Sequence, residues 1–147
     1  MEKLKAGKDY IGVGGGVLIL NKKKEVLLLK RGKNSKNQAG WWCKPGGAVE
    51  YGEVALRAMK REIEEEVGVK INIWGMLPHT DQILKNEGQH WLAVNYIATI
   101  AMGEPKIMEP EKHDALQWFP LKALPQKTTQ TTREPVKNYL AGKYIKL

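Results

Sequence analysis

Between Gly47 and Val69 the chain carries a segment that constrains what the rest can fold into. Leu56, Met59, Ile63 and Val67 recur at spacings of three, four and four, which is one apolar stripe of a 3.6-residue helix. Gly68 follows where a helix C-terminus is expected. The spacing therefore predicts a helix over Glu53 to Val67. A helix with one such stripe needs a partner layer, so other elements must supply a sheet or a second helix to cover it. The same segment holds six acids (Glu50, Glu53, Glu62, Glu64, Glu65 and Glu66) against three bases (Arg57, Lys60 and Arg61). At about 100° per residue, Glu62, Glu65 and Glu66 share one arc beside the apolar stripe. Like charges so placed repel by about 0.2–0.5 kcal/mol per pair. They also sit at the end of the helix where its dipole disfavours anions. Folding does not ask for this cluster. A hard divalent cation would resolve it, because Mg²⁺ and Mn²⁺ take oxygen ligands. The competing reading is a solvated acidic face paired with nearby Lys and Arg.

The spacing decides between them. Gly47, five residues, Glu53, seven residues, then Arg61-Glu62-Ile63-Glu64-Glu65-Glu66-Val67-Gly68-Val69 resembles the Nudix box, Gly-x5-Glu-x7-Arg-Glu-U-x-Glu-Glu-x-Gly-U, with U a bulky aliphatic residue. Every defined position matches. The resemblance implies an α/β fold, an α/β/α sandwich with a mixed central sheet, in a single domain over residues 1–147. It implies hydrolysis of a nucleoside diphosphate linked to another group, with Mg²⁺ or Mn²⁺ as cofactor. Carried over position by position, Glu62, Glu65 and Glu66 are implied metal ligands, with the Gly47 carbonyl as a further one. Arg61 is implied to orient a catalytic glutamate, Glu62 or Glu65. Glu53 and Gly68 are implied structural positions of the motif.

The rest of the chain is read around that helix. Gly12 to Leu20 is predicted as a strand and Val26 to Leu29 as its hairpin partner, across the polar turn Asn21 to Glu25. Lys30 to Gly40 is a basic loop. Pro45-Gly46-Gly47 is expected to break regular structure. Strands are expected near Lys70 to Leu77, Trp91 to Ile100 and Leu116 to Phe119. Thr131-Thr132-Arg133-Glu134 has the form of a capping box opening a last helix to about Leu140. The loop Glu109-Pro110-Glu111-Lys112, followed by Trp118-Phe119, resembles the MutT-like branch acting on nucleoside triphosphates. Glu111 is the expected further ligand or general base from this loop, its alternative being a solvated turn. Gly14, Arg31, Lys44 and Arg133 are the expected substrate contacts. Cys43 is read as a small residue beside the site, and His79, His90 and His113 as ordinary polar residues. One of Trp41 and Trp42 is expected in the core.

The net charge is +8. The box segment is itself acidic, so the remainder is more basic still and attracts anions. The expected reaction is metal-dependent hydrolysis of a (deoxy)nucleoside triphosphate, oxidised or modified forms included, to monophosphate and pyrophosphate. The alternatives are a pyrophosphatase of ADP-ribose or another nucleoside diphosphate derivative, and a non-catalytic nucleotide- or RNA-binding module. Enzymes acting on ADP-ribose often carry an extra N-terminal domain, and only eleven residues precede Gly12. The absence of an RNA-binding signature argues against the binding module. A nucleotide is the expected partner, with no membrane and no stable nucleic-acid partner, in a monomer or homodimer. A single cysteine excludes an internal disulfide and points to a reducing, cytoplasmic setting.

Overall fold

Val17 to Leu20 and Val26 to Leu29 are all buried. Successive side chains of a strand point to opposite faces, so both faces of these strands must be covered. The computed structural model, which describes residues 2–147, shows how. On one face Val17, Ile19, Leu27 and Leu29 pack against Ala58, Met59, Ile63 and Val67. Those last four belong to α1 (Ala55–Val67). On the other face Leu18, Leu20, Val26 and Leu28 pack with Leu77, Ile97 and Val136. Val136 belongs to α2 (Gln130–Leu140). The result is a mixed α/β fold with sheet between two helices. Among the described residues no helix is long and apolar enough to cross a membrane.

Two sheets make the middle layer. The strands are β1 (Gly12–Ile19), β2 (Glu25–Arg31), β3 (Trp42–Cys43), β4 (Gly46–Ala48), β5 (Lys70–Leu84), β6 (Gln89–Met102), β7 (His113–Pro120) and β8 (Ile145–Lys146). The larger sheet has the order β4-β1-β6-β5-β8 and the smaller β3-β2-β7. β1 runs parallel to β6 and antiparallel to β4, so the larger sheet is mixed.

The expected hairpin of β1 with β2 does not form. β1 is flanked on both edges by β4 and β6, and it meets the β2 segment through the bridge Leu20↔Val26 and the turn bond from the Asn21 N–H to the Glu25 carbonyl. β2 pairs instead with β3 and β7. The expected break at Gly46-Gly47 is the short strand β4. Gly16 faces Gly46 and Gly15 faces Gly47 in its register. A side chain at Gly46 would land on the Gly15 carbonyl and the Gly16 Cα. Gly46→Ala is therefore expected to lower stability by about 3 kcal/mol, read from urea unfolding, because β1 backbone cannot give way.

The capping box is also corrected. The N-cap of α2 is Thr129, with no side-chain capping bond. Its hydroxyl pairs with that of Thr132 at 2.8 Å, and Glu134 lies inside the helix. β5 and β6 run further than their apolar cores suggest, joined at Lys85–Glu87 by a 3₁₀ turn, with bulges where β5 shifts register.

Candidate active site

Arg61 is the hub of the box helix. Its Nε donates to Glu53 at 2.7 Å and its Nη2 to the same carboxylate at 2.9 Å. Nη1 donates to Glu62 at 3.0 Å and Glu65 at 3.2 Å, and Nη2 reaches the Ala48 carbonyl at 3.3 Å. Glu53 precedes the first turn of α1, so the fork ties that entry to the helix two turns on. The guanidinium holds the Glu53 carboxyl below the usual carboxylate range. One cation thus orients three carboxylates by charge-assisted bonds, and it neutralises only one of them.

Glu66 lies on the same side, deeper. It is 9% exposed. Its Oε1 accepts the Gly46 N–H at 2.8 Å, and its Oε2 lies 3.4 Å from His113 Nε2. Burial pushes its carboxyl up to about 8, with Glu62 and Glu109 adding to the rise. His113 offers no countercharge, because burial pushes the imidazole down, and its Nδ1 is buried without a partner. Ligand atoms of Glu66, Glu109 and His113 lie within 4.8 Å of one another. Glu62 is raised as well, again by burial. A side chain at Gly47 would land on the Glu62 carboxylate, so glycine there lets that carboxylate lie against β4. Oxygen-rich, half-buried and undercompensated in charge, this group fits a hard divalent cation. Glu66, Glu109 and His113 bring candidate ligand atoms together there, with Glu62 and Glu65 held on the same helix as Glu66 by Arg61.

The structure sorts the expected residues. Glu62, Glu65 and Glu66 share one helix side near Arg61, and Gly47 lies against Glu62. Gly68 caps α1 in the left-handed region, φ 74°, where glycine is unstrained. Glu111 is exposed and is absent from the cluster, whereas Glu109 belongs to it. The backbone explains this. Lys106 and Met108 donate N–H groups to the Val67 and Glu66 carbonyls, which brings Glu109 alongside α1. A turn then closes on the Glu109 carbonyl from Lys112 and His113. His113 and Glu109 were not foreseen as site residues. Pairing of His113 with Arg31 across β7 and β2 is the signal that places the histidine, and it is invisible before the sheet is known.

A cleft of about 290 Å³ opens beside the carboxylates. Gly14, Arg31 and Lys44 line it as expected, and Gln82, Trp91 and Thr131 join them. Arg133 does not. Its Nη2 donates to the Pro125 and Gln126 carbonyls at 2.6 and 2.9 Å, pinning the loop before α2. Cys43 borders the cleft, and burial pushes its thiol up, which suits a small neutral residue and not a nucleophile. Trp42 is the core tryptophan, edge-on to Phe119 at 4.8 Å. His90 has its backbone N–H on the Gly7 carbonyl, and His79 sits exposed beside Asp81 at 3.6 Å.

Comparison with known proteins agrees with this geometry. The crystal structure of a MutT NUDIX hydrolase from Burkholderia pseudomallei superposes with a TM-score of 0.80 at 41% identity, covering 86% of this chain and 95% of that one. The ADP-ribose pyrophosphatase of Methanocaldococcus jannaschii is 30% identical over 125 residues, 85% of this chain and 71% of that protein. The 8-oxo-dGDP phosphatase NUDT18 of Mus musculus is 30% identical over 110 residues, 74% of this chain but 32% of that protein. The chain thus spans about a third of that longer relative. The NUDIX domain profile matches residues 11–139, a stretch that takes in the box helix, strands β1 to β7 and the cleft, and the chain belongs to the NUDIX domain family.

Proposed function

We propose that this chain, as one domain, hydrolyses a (deoxy)nucleoside triphosphate to the monophosphate and pyrophosphate, oxidised or modified nucleotides included. The observation that supports this reading is the undercompensated carboxylate group around buried Glu66, at the mouth of a glycine-floored cleft. Glu62, Glu65, Glu66 and the Gly47 carbonyl would hold Mg²⁺ or Mn²⁺, with Glu109 in the place foreseen for Glu111. When bound, such a cation neutralises phosphate oxygens and lowers the pKa of water.

The protein's own groups do the rest. Arg61 fixes Glu62 and Glu65 in one orientation through its clamp on Glu53. Glu65 is the most open of the three, its side chain 53% exposed, and has room to accept a proton from the attacking water. Arg31 and Lys44 bring positive charge into the cleft and draw in an anionic substrate. The kinship with a MutT NUDIX hydrolase supports the triphosphate as substrate. The kinship with an ADP-ribose pyrophosphatase favours a second reading, the same site acting on a nucleoside diphosphate derivative.

Comparison of kcat/KM for the four dNTPs, 8-oxo-dGTP, ADP-ribose and 5′-triphosphorylated RNA, all with Mg²⁺, tests the reading. A triphosphate preferred over ADP-ribose is expected. Turnover of ADP-ribose alone selects the second reading. Mg²⁺ is also expected to raise Tm, since a ligand at 100 times its Kd stabilises by about 2.7 kcal/mol. Absence of any shift, with and without nucleotide, would contradict a preformed site.

A further inference from the structure

We propose that Lys44 is a specificity-determining residue, whose ammonium selects nucleotides with a carbonyl oxygen at the 4-position of a pyrimidine or the 6-position of a purine over those with an amine there. The inference rests on the nucleotide-hydrolase reading above and names the base class of that same cleft.

Strand parity places Lys44 across the β1–β4 ribbon from Glu62. Gly15 and its partner Gly47 share one face of the β1–β4 ribbon, and Gly16 and Gly46 share the other. A side chain at Gly47 would land on the Glu62 carboxylate, and one at Gly16 on the aliphatic stem of Lys44. Glu62 and Lys44 therefore lie on opposite faces of the ribbon. A substrate whose phosphates meet the carboxylates reaches the Lys44 side with its other end, the base.

That side is furnished for a flat polar group. Gly12 pairs with Trp91, Gly14 with Ala93, and Trp91 with Gln82 across β6 and β5. The indole lies across Gly12, where a side chain would collide with its ring. An aromatic plane, an amide and an ammonium thus stand over a floor with almost no side chains.

The ammonium is fixed there by α2. Pro135 lies within α2 and has no N–H for the carbonyl four residues earlier, that of Thr131. Lys44 Nζ donates to that freed carbonyl at 2.5 Å, and the Lys44 backbone N–H donates to Thr132 Oγ1 at 2.9 Å. An ammonium has three donors and no acceptor, so two remain for a ligand. No carboxylate forms an ion pair with it among the described residues, and Glu134 acts only at longer range. Burial pulls the ammonium down to about 8, which is the cost of a desolvated cation without a counter-ion. A carbonyl oxygen offsets that cost, whereas an amine would set donor against donor and leave both unpaired.

Calorimetry on the full chain with UMP, CMP, GMP and AMP tests this. UMP and CMP differ at the 4-position, oxygen against amine. The wild type is expected to bind UMP over CMP, and GMP over AMP, by about 10-fold or more. Lys44→Met is expected to bring both ratios to within about 2-fold, while Lys44→Arg keeps a preference, since its guanidinium is again donor-only. The UTP/CTP ratio of kcat/KM falls in the same way. If Lys44→Met does not fold, Lys44→Gln gives the same readout, because an amide both donates and accepts. Equal binding of UMP and CMP by the wild type would overturn the proposal. So would equal weakening of all four nucleotides by the Lys44→Met change, the mark of a phosphate contact or of a purely structural role at Thr131. Failure to hydrolyse any triphosphate would instead overturn the reading of the reaction, and the binding ratios would still decide Lys44.

Discussion

Glu65→Gln is expected to lower kcat for the preferred triphosphate about 1,000-fold, within the range for loss of a general base, and to leave Tm at or slightly above that of the wild type. The geometry separates the two effects. Glu65 is half exposed, and its hydrogen bonds come from Arg61 Nη1 at 3.2 and 3.3 Å. Arg61 keeps its bonds to Glu53 and Glu62 when Glu65 becomes an amide, so the entry to α1 stays tied. The change also removes one of two like charges three residues apart on α1, a small gain. What is lost is a carboxylate that can take a proton or hold a cation. Pyrophosphate release at saturating Mg²⁺ and substrate reads the rate, and thermal unfolding reads the fold. A Glu65→Gln enzyme at full rate would place the base and the ligands elsewhere.

Glu66→Gln is expected to abolish activity and yet stabilise the metal-free protein by about 2 kcal/mol. Ionising Glu66 costs more than ionising its neighbours on the helix, because it is buried with its carboxyl pushed up to about 8. The amide oxygen can still accept the Gly46 N–H that now reaches Oε1 at 2.8 Å, so β4 stays attached to α1. A neutral group of the same shape removes the desolvation cost and the repulsion from Glu62 and Glu109. The Tm rise in the absence of metal is expected near 5 °C for a chain of this size, and the further rise with Mg²⁺ should vanish. Such a site is stable only against its own function, as expected where like charges are gathered for a ligand. A fall in Tm would mean that the Glu66 charge stabilises the fold through contacts other than those seen.

The box helix was legible because its information is local. A 3.6-residue stripe and a fixed spacing of glycine, arginine and glutamates place Glu62, Glu65, Glu66 and the Gly68 cap without any knowledge of the sheet. The apolar runs Val17 to Leu20 and Val26 to Leu29 were legible as strands for the same reason. Their partners were not, since a hairpin and a crossing to another sheet leave the same alternation in the chain. Glu109 and Glu111 flank one proline with equal claims. Only the hydrogen bonds of Lys106 and Met108 to the end of α1 decide between them. His113 reaches the site through its register with Arg31, and Gln82 and Trp91 through theirs with each other. The anchoring of Lys44 on α2 depends on a proline 91 residues away whose missing N–H frees the Thr131 carbonyl. Pairings of that range belong to the folded chain alone.

In the proposed reaction these carboxylates serve cleavage of a nucleoside triphosphate between its α and β phosphates. Phosphorus-31 NMR of the reaction with Mg²⁺, run on the preferred triphosphate and repeated with the Glu65→Gln variant, tests it most directly. Resonances of the monophosphate and pyrophosphate are expected to grow together, with almost none from the variant. Orthophosphate with a nucleoside diphosphate, or equal rates from the two proteins, would contradict it.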